Sequence, residues 1–271
     1  MNAVALPFLG DDRLRAAQFA GSRWLDHAAV WRPRDPDTLT TGACETAVIL
    51  LGGTFDLVGG GTVWPARGAR KDAFTGRPMA VFLPPHTTFQ VSKGTGEILL
   101  LAARQPVVRD EPTGREALAR KPLLPLAGSG KAFDPTKGEW MPAESFPSAP
   151  ESLPPRRFQR FDLPTEGNVV TTAVMERVFA PDYKAATLSV DEVVLQPGQS
   201  LALRDLPSRP SCDEMMVFVR TEDQALLGDR TQVTNVRHDV AMLLTPPQFE
   251  AHHVGAVSGR CYVAIAYAGK H

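Results

Sequence analysis

The sequence predicts an all-β protein with two duplicated β-barrel domains. Apolar runs of strand length end repeatedly at glycine or proline, a pattern typical of antiparallel sandwiches and barrels. Similar phrases occur in the same order in both halves of the chain. Proline is frequent, with 24 residues among 271, and it disfavours long helices because it lacks the backbone N–H and clashes with the preceding helical turn.

Two regions carry the predicted strands. In the first region, apolar runs that end at glycine or proline predict strands over 46–51, 54–58, 80–83 and 97–103. In the second region, similar runs predict strands over 169–178, 186–195, 215–219, 240–244 and 261–266. The side chains expected to face the core are Val48, Leu50, Val81, Leu83, Leu99, Leu101, Val217, Leu243 and Ile265.

The two regions look like copies of one domain. The phrase CETAVI at Cys44 resembles CDEMMV at Cys212, and AVFLPP at Ala80 resembles AMLLTPP at Ala241. Matching order in both halves predicts a duplication. Residues 105–166 hold 11 of the 24 prolines, and such a stretch cannot supply central strands because proline gives no ladder hydrogen bond. The predicted organisation is therefore a barrel over 1–104, a proline-rich crossover over 105–166 and a barrel over 167–271.

Composition excludes several partners. There are 29 basic and 30 acidic residues, a net charge of −1, so electrostatics gives no reason to expect nucleic acid or a membrane surface. The apolar stretch at the N-terminus is short and is interrupted by Pro7, unlike a secretory signal. No apolar run approaches the roughly 20 residues that span a bilayer. The three cysteines form no C-x-x-C pair, and we expect a cytoplasmic protein with reduced thiols.

Longer phrases resemble one known family. In the first half these are LGGTFDLVGG, RGARKDAF and AVFLPPHTTFQV; in the second half they are PDYKAATLSVDEVVLQPG, CDEMMVF and QFEAHHV. Together they resemble the 5-deoxy-glucuronate isomerases, bicupins of the KduI/IolB type. The resemblance implies two jelly-roll barrels and an aldose–ketose isomerase (an intramolecular oxidoreductase) that acts on sugar acids in inositol catabolism.

The resemblance also implies a divalent metal, zinc or manganese, in the second barrel. The family holds it with two histidines spaced one apart, a glutamate and a later histidine, and the metal would polarise a sugar carbonyl during proton transfer. Glu214 and His252 stand in two of these positions. His253 is the alternative to His252, because alternating strand side chains let only one of the two face the interior.

The histidine pair of the family has no counterpart here, since QSLALRDLPSRPSCDE contains no histidine. Three interpretations therefore stay open. The protein is a sugar-acid isomerase of the family type, or it is an enzyme with a rebuilt site. The third possibility is a metal-free, inactive bicupin that binds a small molecule or has a structural role.

Arg70 is the candidate substrate-binding residue. An arginine can bind the carboxylate of a sugar acid through two parallel hydrogen bonds. Arg70 can equally pair with Asp72 or Glu97, which would make it structural. Finally, barrels of short strands leave open edges, so we expect the two halves to pack on each other and the protein to form a homodimer.

Overall fold

Strands form nearly all of the regular structure in the computed structural model. It describes residues 3–59, 62–68, 70–76, 79–83, 85–104, 131–134, 139–142, 160–163, 173–179, 187–206 and 212–269. The strands before residue 105 are β1 (Ala5–Pro7), β2 (Leu9–Gly10), β3 (Leu14–Gln18), β4 (Leu25–Trp31), β5 (Asp37–Thr40), β6 (Cys44–Gly59), β7 (Thr62–Arg67), β8 (Ala80–Leu83) and β9 (Thr88–Arg104).

The later strands begin in the proline-rich segment. They are β10 (Lys131–Asp134), β11 (Glu139–Pro142), β12 (Arg160–Leu163), β13 (Ala173–Phe179), β14 (Leu188–Leu195), β15 (Ser200–Ala202), β16 (Glu214–Thr221), β17 (Gln224–Gly228), β18 (Val233–Val236), β19 (Val240–Leu244), β20 (His253–Ser258) and β21 (Cys261–Ala268). A short helix, α1 (Pro246–Phe249), and a 3-10 turn (Leu203–Asp205) complete the elements of the described residues. Within those residues, no helix has the length and apolar character needed to cross a membrane.

The sheets repeat one strand order. The first half forms a sheet of order β2-β3-β4-β9-β6-β7, in which β5 pairs with β9 and β8 with β6. The second half forms a sheet of order β1-β19-β16-β21-β14-β13-β12 and a smaller one of order β15-β20-β17-β18. The order β4-β9-β6-β8 in the first half thus recurs as β14-β21-β16-β19 in the second. The all-β class and the duplication predicted from the sequence are confirmed.

The chain crosses between the halves at its first strand. β1 pairs with β19, placing Leu6 opposite Ala241, so the N-terminal segment extends a sheet of the second half. Within the segment 105–166, β12 lies at the edge of that sheet, and β10 pairs with β11 in a sheet of their own. The other residues of this segment lie outside the described residues. The domain limits at residues 104 and 167 stay a prediction.

Gly52 and Gly53 do not form the turn that the sequence predicts. The expected strands 46–51 and 54–58 are one continuous strand, β6, which pairs with β9 along its length. Gly53 has φ of +98°, and a Cβ there would lie 1.9 Å from the carbonyl oxygen of Thr95. A Cβ at Gly96 would lie 2.0 Å from the carbonyl oxygen of Gly52. These glycines permit a close approach of the β6 and β9 backbones. In the sequence, glycine after an apolar run predicted the end of a strand instead.

Three apolar cores hold the structure together. One core fills the first half and includes Val48 and Leu50, and a second fills the space between the two sheets of the second half and includes Val217 and Ile265. The third core lies between the halves and contains Leu99 from one and Phe218 from the other. The expected packing of the two halves on each other is therefore confirmed. Of the core-facing side chains predicted from the sequence, Leu243 is partly buried and the others are buried.

Candidate functional site

The carboxylate of Glu214 is bound to the first half of the chain. Its Oε2 accepts hydrogen bonds from the Ser22 hydroxyl at 2.5 Å and from the backbone N–H groups of Trp24 and Leu25, each at 3.0 Å. Its Oε1 accepts a bond from the backbone N–H of Arg23 at 2.7 Å. The side chain is buried. Glu214 therefore fixes the chain at the start of β4.

Glu214 also points away from the interior of the second barrel. On β16, Met216 and Phe218 share its side of the strand and belong to the core between the halves. Met215 and Val217 point the other way, into the core of the second half. Because side chains alternate along a strand, Glu214 faces the first half. The structure does not bring Glu214 and His252 to one site.

Glu45 occupies the equivalent position in the first half. It is opposite Ala103 on β9, as Glu214 is opposite Ala268 on β21. Glu45 Oε1 accepts a hydrogen bond from the backbone N–H of Thr187 at 2.7 Å and another from the Thr187 hydroxyl. Thr187 immediately precedes β14, the counterpart of β4. Each half thus holds the other through one buried glutamate.

This equivalence corrects the sequence alignment of the two halves. Matching Cys44 with Cys212 sets Glu45 against Asp213, whereas the strand register sets Glu45 against Glu214, one residue further. A shift of one residue moves every side chain of a strand to the opposite face. The strand register therefore places Glu214, and not Asp213, in the position of Glu45.

His252 is the buried member of the histidine pair. It is 5% exposed and precedes β20, where Val254 and Ala256 face the core of the second half on the same side. His253 is half-buried. Nδ1 of His252 lies 2.8 Å from the carbonyl oxygen of Gln248. A carbonyl can only accept, so Nδ1 carries the hydrogen and Nε2 is left as an acceptor in the neutral ring.

The residues named by the resemblance do not fit a divalent metal. Glu214 already accepts four hydrogen bonds and lies on the other side of β16 from the barrel interior. Across the described parts of the chain, no three His, Cys, Asp or Glu side chains are grouped so that they could hold a metal ion. Structural and catalytic zinc sites use at least three protein ligands, and His252 alone supplies one.

Arg70 forms a buried ion pair across the two halves. Its Nη1 donates to Oε1 of Glu192 at 2.9 Å, and its Nε donates to the carbonyl oxygen of Leu50 at 2.7 Å. The Tyr262 hydroxyl donates to Glu192 Oε2 at 2.9 Å. Burial alone would lower the pKa of Arg70, but the Glu192 carboxylate and the Tyr262 side chain outweigh it and raise the pKa.

The sequence left open whether Arg70 binds substrate or has a structural role. Its buried ion pair with Glu192 fits the structural role. The partners expected for that role were wrong, however. Asp72 accepts hydrogen bonds from Thr75 and from the backbone of Phe74, and Glu97 binds Arg220 across the halves.

A cavity of about 440 Å³, here called the His252 cavity, lies beside that histidine. The turn between β17 and β18, the helix α1, strand β19 and the N-terminal segment all contribute to its wall. Its polar lining consists of Asp229, Thr231, Gln232, Thr234, Gln248 and His252. The cavity offers hydrogen-bonding groups around a volume in the range of small-molecule sites.

Asp229 is the acidic residue of this cavity, and the sequence analysis did not identify it. Its Oδ1 accepts bonds from the Thr231 hydroxyl and backbone N–H, both at 2.7 Å, and from the Gln232 N–H at 2.8 Å. These bonds lower the pKa of Asp229 to about 2. In the sequence the phrase GDRTQ indicates only a hairpin turn. Only the tertiary structure brings this turn to His252.

A family model and several solved structures resemble the chain. The KduI/IolB family model matches residues 29–115, which confirms the resemblance drawn from the sequence phrases. No curated protein sequence matches the chain significantly.

The structural matches extend over nearly the whole chain. An IolB-like protein from Salmonella typhimurium LT2 matches with a TM-score of 0.65 at 14% identity, covering 98% of this chain and 92% of that one. A putative glyoxylate-induced protein from Pseudomonas aeruginosa gives 0.55 at 12%, covering 98% and 88%. The oxalate decarboxylase formate complex from Lactobacillus farciminis gives 0.53 at 10%, covering 99% and 86%. At these identities the matches establish the fold, and the predicted bicupin architecture is confirmed.

Proposed function

We propose that this chain, whose residues 29–115 match the KduI/IolB family, is a bicupin that binds a sugar-like small molecule in the His252 cavity. In this proposal the protein does not use a metal held by Glu214 and His252. The observation that carries the proposal is the set of four hydrogen bonds from the first half to the Glu214 carboxylate.

Moving Glu214 into the barrel would be costly. Three of its four donors are backbone N–H groups, of Arg23, Trp24 and Leu25. Hydrogen bonds to a charged group contribute about 1.5–3 kcal/mol each, and a buried donor left without a partner costs about 1–3 kcal/mol. β16 would also have to turn over, which would carry Arg220 together with Glu214 into the apolar core of the second half. The carboxylate therefore serves the contact between the halves.

The chemistry of the His252 cavity supports a hydroxyl-rich ligand. The Thr234 hydroxyl can donate and accept, the Thr231 hydroxyl, which donates to Asp229, can accept, and the Asp229 carboxylate accepts. Alanine, methionine and proline side chains supply the apolar part of the wall, which suits the C–H faces of a sugar ring.

A metal-free isomerase of 5-deoxy-glucuronate is the second candidate. The imidazole of His252 in the cavity wall favours it, since histidine is the most frequent general base in proton transfer. In this candidate, His252 would take the proton from the carbon that bears the hydroxyl and return it to the neighbouring carbonyl carbon. The hydroxyl proton would pass to the former carbonyl oxygen through solvent.

An isomerisation assay monitored by NMR separates these candidates. Purified protein is incubated with 5-deoxy-glucuronate in EDTA, and separately with added manganese or zinc. Wild type is compared with Glu214→Gln and His252→Asn, and with Glu222→Gln as a control, because Glu222 is an exposed glutamate paired with Arg260. Binding of D-glucose is measured in the same EDTA buffer.

The first proposal expects glucose binding in EDTA and no turnover under any condition. Turnover in EDTA that is lost in His252→Asn would establish the second candidate. Turnover that requires metal and is lost in both Glu214→Gln and His252→Asn, but not in Glu222→Gln, would contradict both.

A further inference from the structure

We propose that the His252 cavity selects hydroxyl-rich ligands that carry no negative charge. The inference rests on the proposed function, because it names the ligand class of the same cavity. It excludes a sugar acid, the partner that the family resemblance implies, from this position.

The charge of the cavity wall disfavours a negatively charged ligand. Asp229 is the acidic residue of the wall, and the wall as described includes no lysine or arginine. A carboxylate on the ligand would enter beside the Asp229 carboxylate without a guanidinium or ammonium group to balance it. Like charges that are brought together repel, and this repulsion disfavours a negatively charged ligand.

The hydrogen bonds of Asp229 fix its carboxylate as an acceptor. All three bonds from Thr231 and Gln232 end on Oδ1. They hold the carboxylate of this lining residue in one orientation, and Oδ2 takes part in none of them, so it can accept a further hydrogen bond. The low pKa of Asp229, about 2, agrees with a group that is ionised and accepts hydrogen bonds near neutral pH.

In its neutral form, His252 supplies a second fixed acceptor. The bond from Nδ1 to the Gln248 carbonyl orients the ring and leaves Nε2 with a lone pair in the neutral form. Two fixed acceptors in one wall need donors on the ligand. Hydroxyl and ammonium groups donate, whereas an ionised carboxylate only accepts. Charge and hydrogen bonding thus select the same ligand class.

D-Glucose and two of its derivatives, one with an amine at C2 and one with a carboxylate at C6, test the inference. Isothermal titration calorimetry at pH 7 compares D-glucose, D-glucosamine and D-glucuronate, and saturation-transfer NMR repeats the comparison if binding is weak. We expect wild type to bind glucose and glucosamine at least about tenfold more tightly than glucuronate, the change that corresponds to losing one good interaction. In Asp229→Asn, the preference for glucose over glucuronate should fall below about threefold.

Two further variants separate the cavity from the rest of the fold. In His252→Asn the side-chain amide can still donate to the Gln248 carbonyl, but Nε2 is gone, so glucose affinity should fall about tenfold. Asp223→Asn is the matched control, since Asp223 precedes β17 at the end opposite Asp229 and should leave all three affinities unchanged. Thermal melting curves confirm that each variant is folded.

The outcomes distinguish this inference from the proposed function. If wild type binds glucuronate as tightly as glucose, the inference is wrong, although sugar binding stands. If wild type prefers glucose and Asp229→Asn keeps the full preference, Asp229 does not select the ligand and the inference is again wrong. If none of the three sugars binds at concentrations up to tens of millimolar, both the inference and the proposed function are overturned.

Discussion

Glu45 and Glu214 occupy equivalent positions in the two halves, and each accepts hydrogen bonds from the segment that begins a strand of the other half. Glu45 binds Thr187, before β14, and Glu214 binds Ser22 and the residues that lead into β4. Both carboxylates are buried. The reciprocal arrangement explains why Glu214 faces the first half.

Removing the Glu214 carboxylate should destabilise the whole chain. Glu214→Ala leaves the backbone donors of Arg23, Trp24 and Leu25 buried without a partner, so the free energy of unfolding should fall by about 3 kcal/mol. Urea denaturation followed by tryptophan fluorescence measures this change. The control Glu222→Ala removes an exposed pair and should change stability by less than about 1 kcal/mol. Equal decreases in unfolding free energy in the two variants would mean that Glu214 does not stabilise the contact between the halves.

Arg70 and Glu192 should behave as a coupled pair. Arg70→Met removes the guanidinium that pairs with the buried Glu192 carboxylate, and should cost about 3 kcal/mol or more. The double variant Arg70→Met with Glu192→Leu should cost less than the sum of the single changes, because no uncompensated charge remains. A double-mutant cycle from denaturation curves measures the coupling. Strictly additive losses would show that the two residues act independently.

Asp37 should make stability depend on pH in the acid range. Its carboxylate accepts bonds from Arg13, from the Trp31 indole and from the backbone of Arg34 and Thr38. The Arg13 bond is the largest cause of its lowered pKa; burial opposes it, and the backbone and indole bonds add to it.

Because the folded pKa is lowered, the contribution of Asp37 is fully present above the unfolded pKa of about 4. It is lost as the pH falls through the folded value. Asp37→Asn should therefore reduce the unfolding free energy by about 2 kcal/mol at pH 7 and by much less at pH 2. Denaturation curves at both pH values test this, with the exposed Asp12→Asn as control. A loss that is equal at both pH values would assign it to packing.

The thiols should differ in reactivity. Burial raises the pKa of Cys261 to about 12, and burial together with the nearby Asp26 carboxylate raises that of Cys44. Both thiols therefore stay protonated at pH 8, and the thiolate is the reactive form. Cys212 is half-buried. Ellman's reagent at pH 8 should modify Cys212 in the native protein, with Cys44 and Cys261 reacting only in denaturant. Rapid modification that persists in Cys212→Ser would contradict this order.

Glycine should be required at position 53 for steric reasons. A Cβ at Gly53 would lie 1.9 Å from the Thr95 carbonyl oxygen, so Gly53→Ala must push β6 and β9 apart, at a cost of about 4 kcal/mol. Gly198 also has a positive φ, of +80°, but a Cβ there meets nothing within 4 Å. Gly198→Ala should cost only the backbone strain, about 1–2 kcal/mol. Similar melting temperatures for the two variants would show that close approach at Gly53 is unimportant.

The all-β class and several strands follow from the sequence alone. The predicted strands over 80–83 and 240–244 coincide with β8 and β19, because short apolar runs and proline act within a few neighbouring residues. The repeated phrases indicated the duplication because they consist of the same short apolar runs and prolines. Where glycine serves a distant contact, as at Gly53 against Thr95, the local pattern predicted a turn and was wrong.

The sequence by itself determined which residue types are present: Glu214, His252 and a turn that contains Asp229. Only the tertiary structure decided that Glu214 faces the first half and that Asp229 shares a cavity with His252. The face of a strand residue changes with a shift of one position in register, and hydrophobic pairing across the whole sheet sets that register. Residues distant in sequence meet through the packing of sheets, so the pattern near each one cannot reveal its partner.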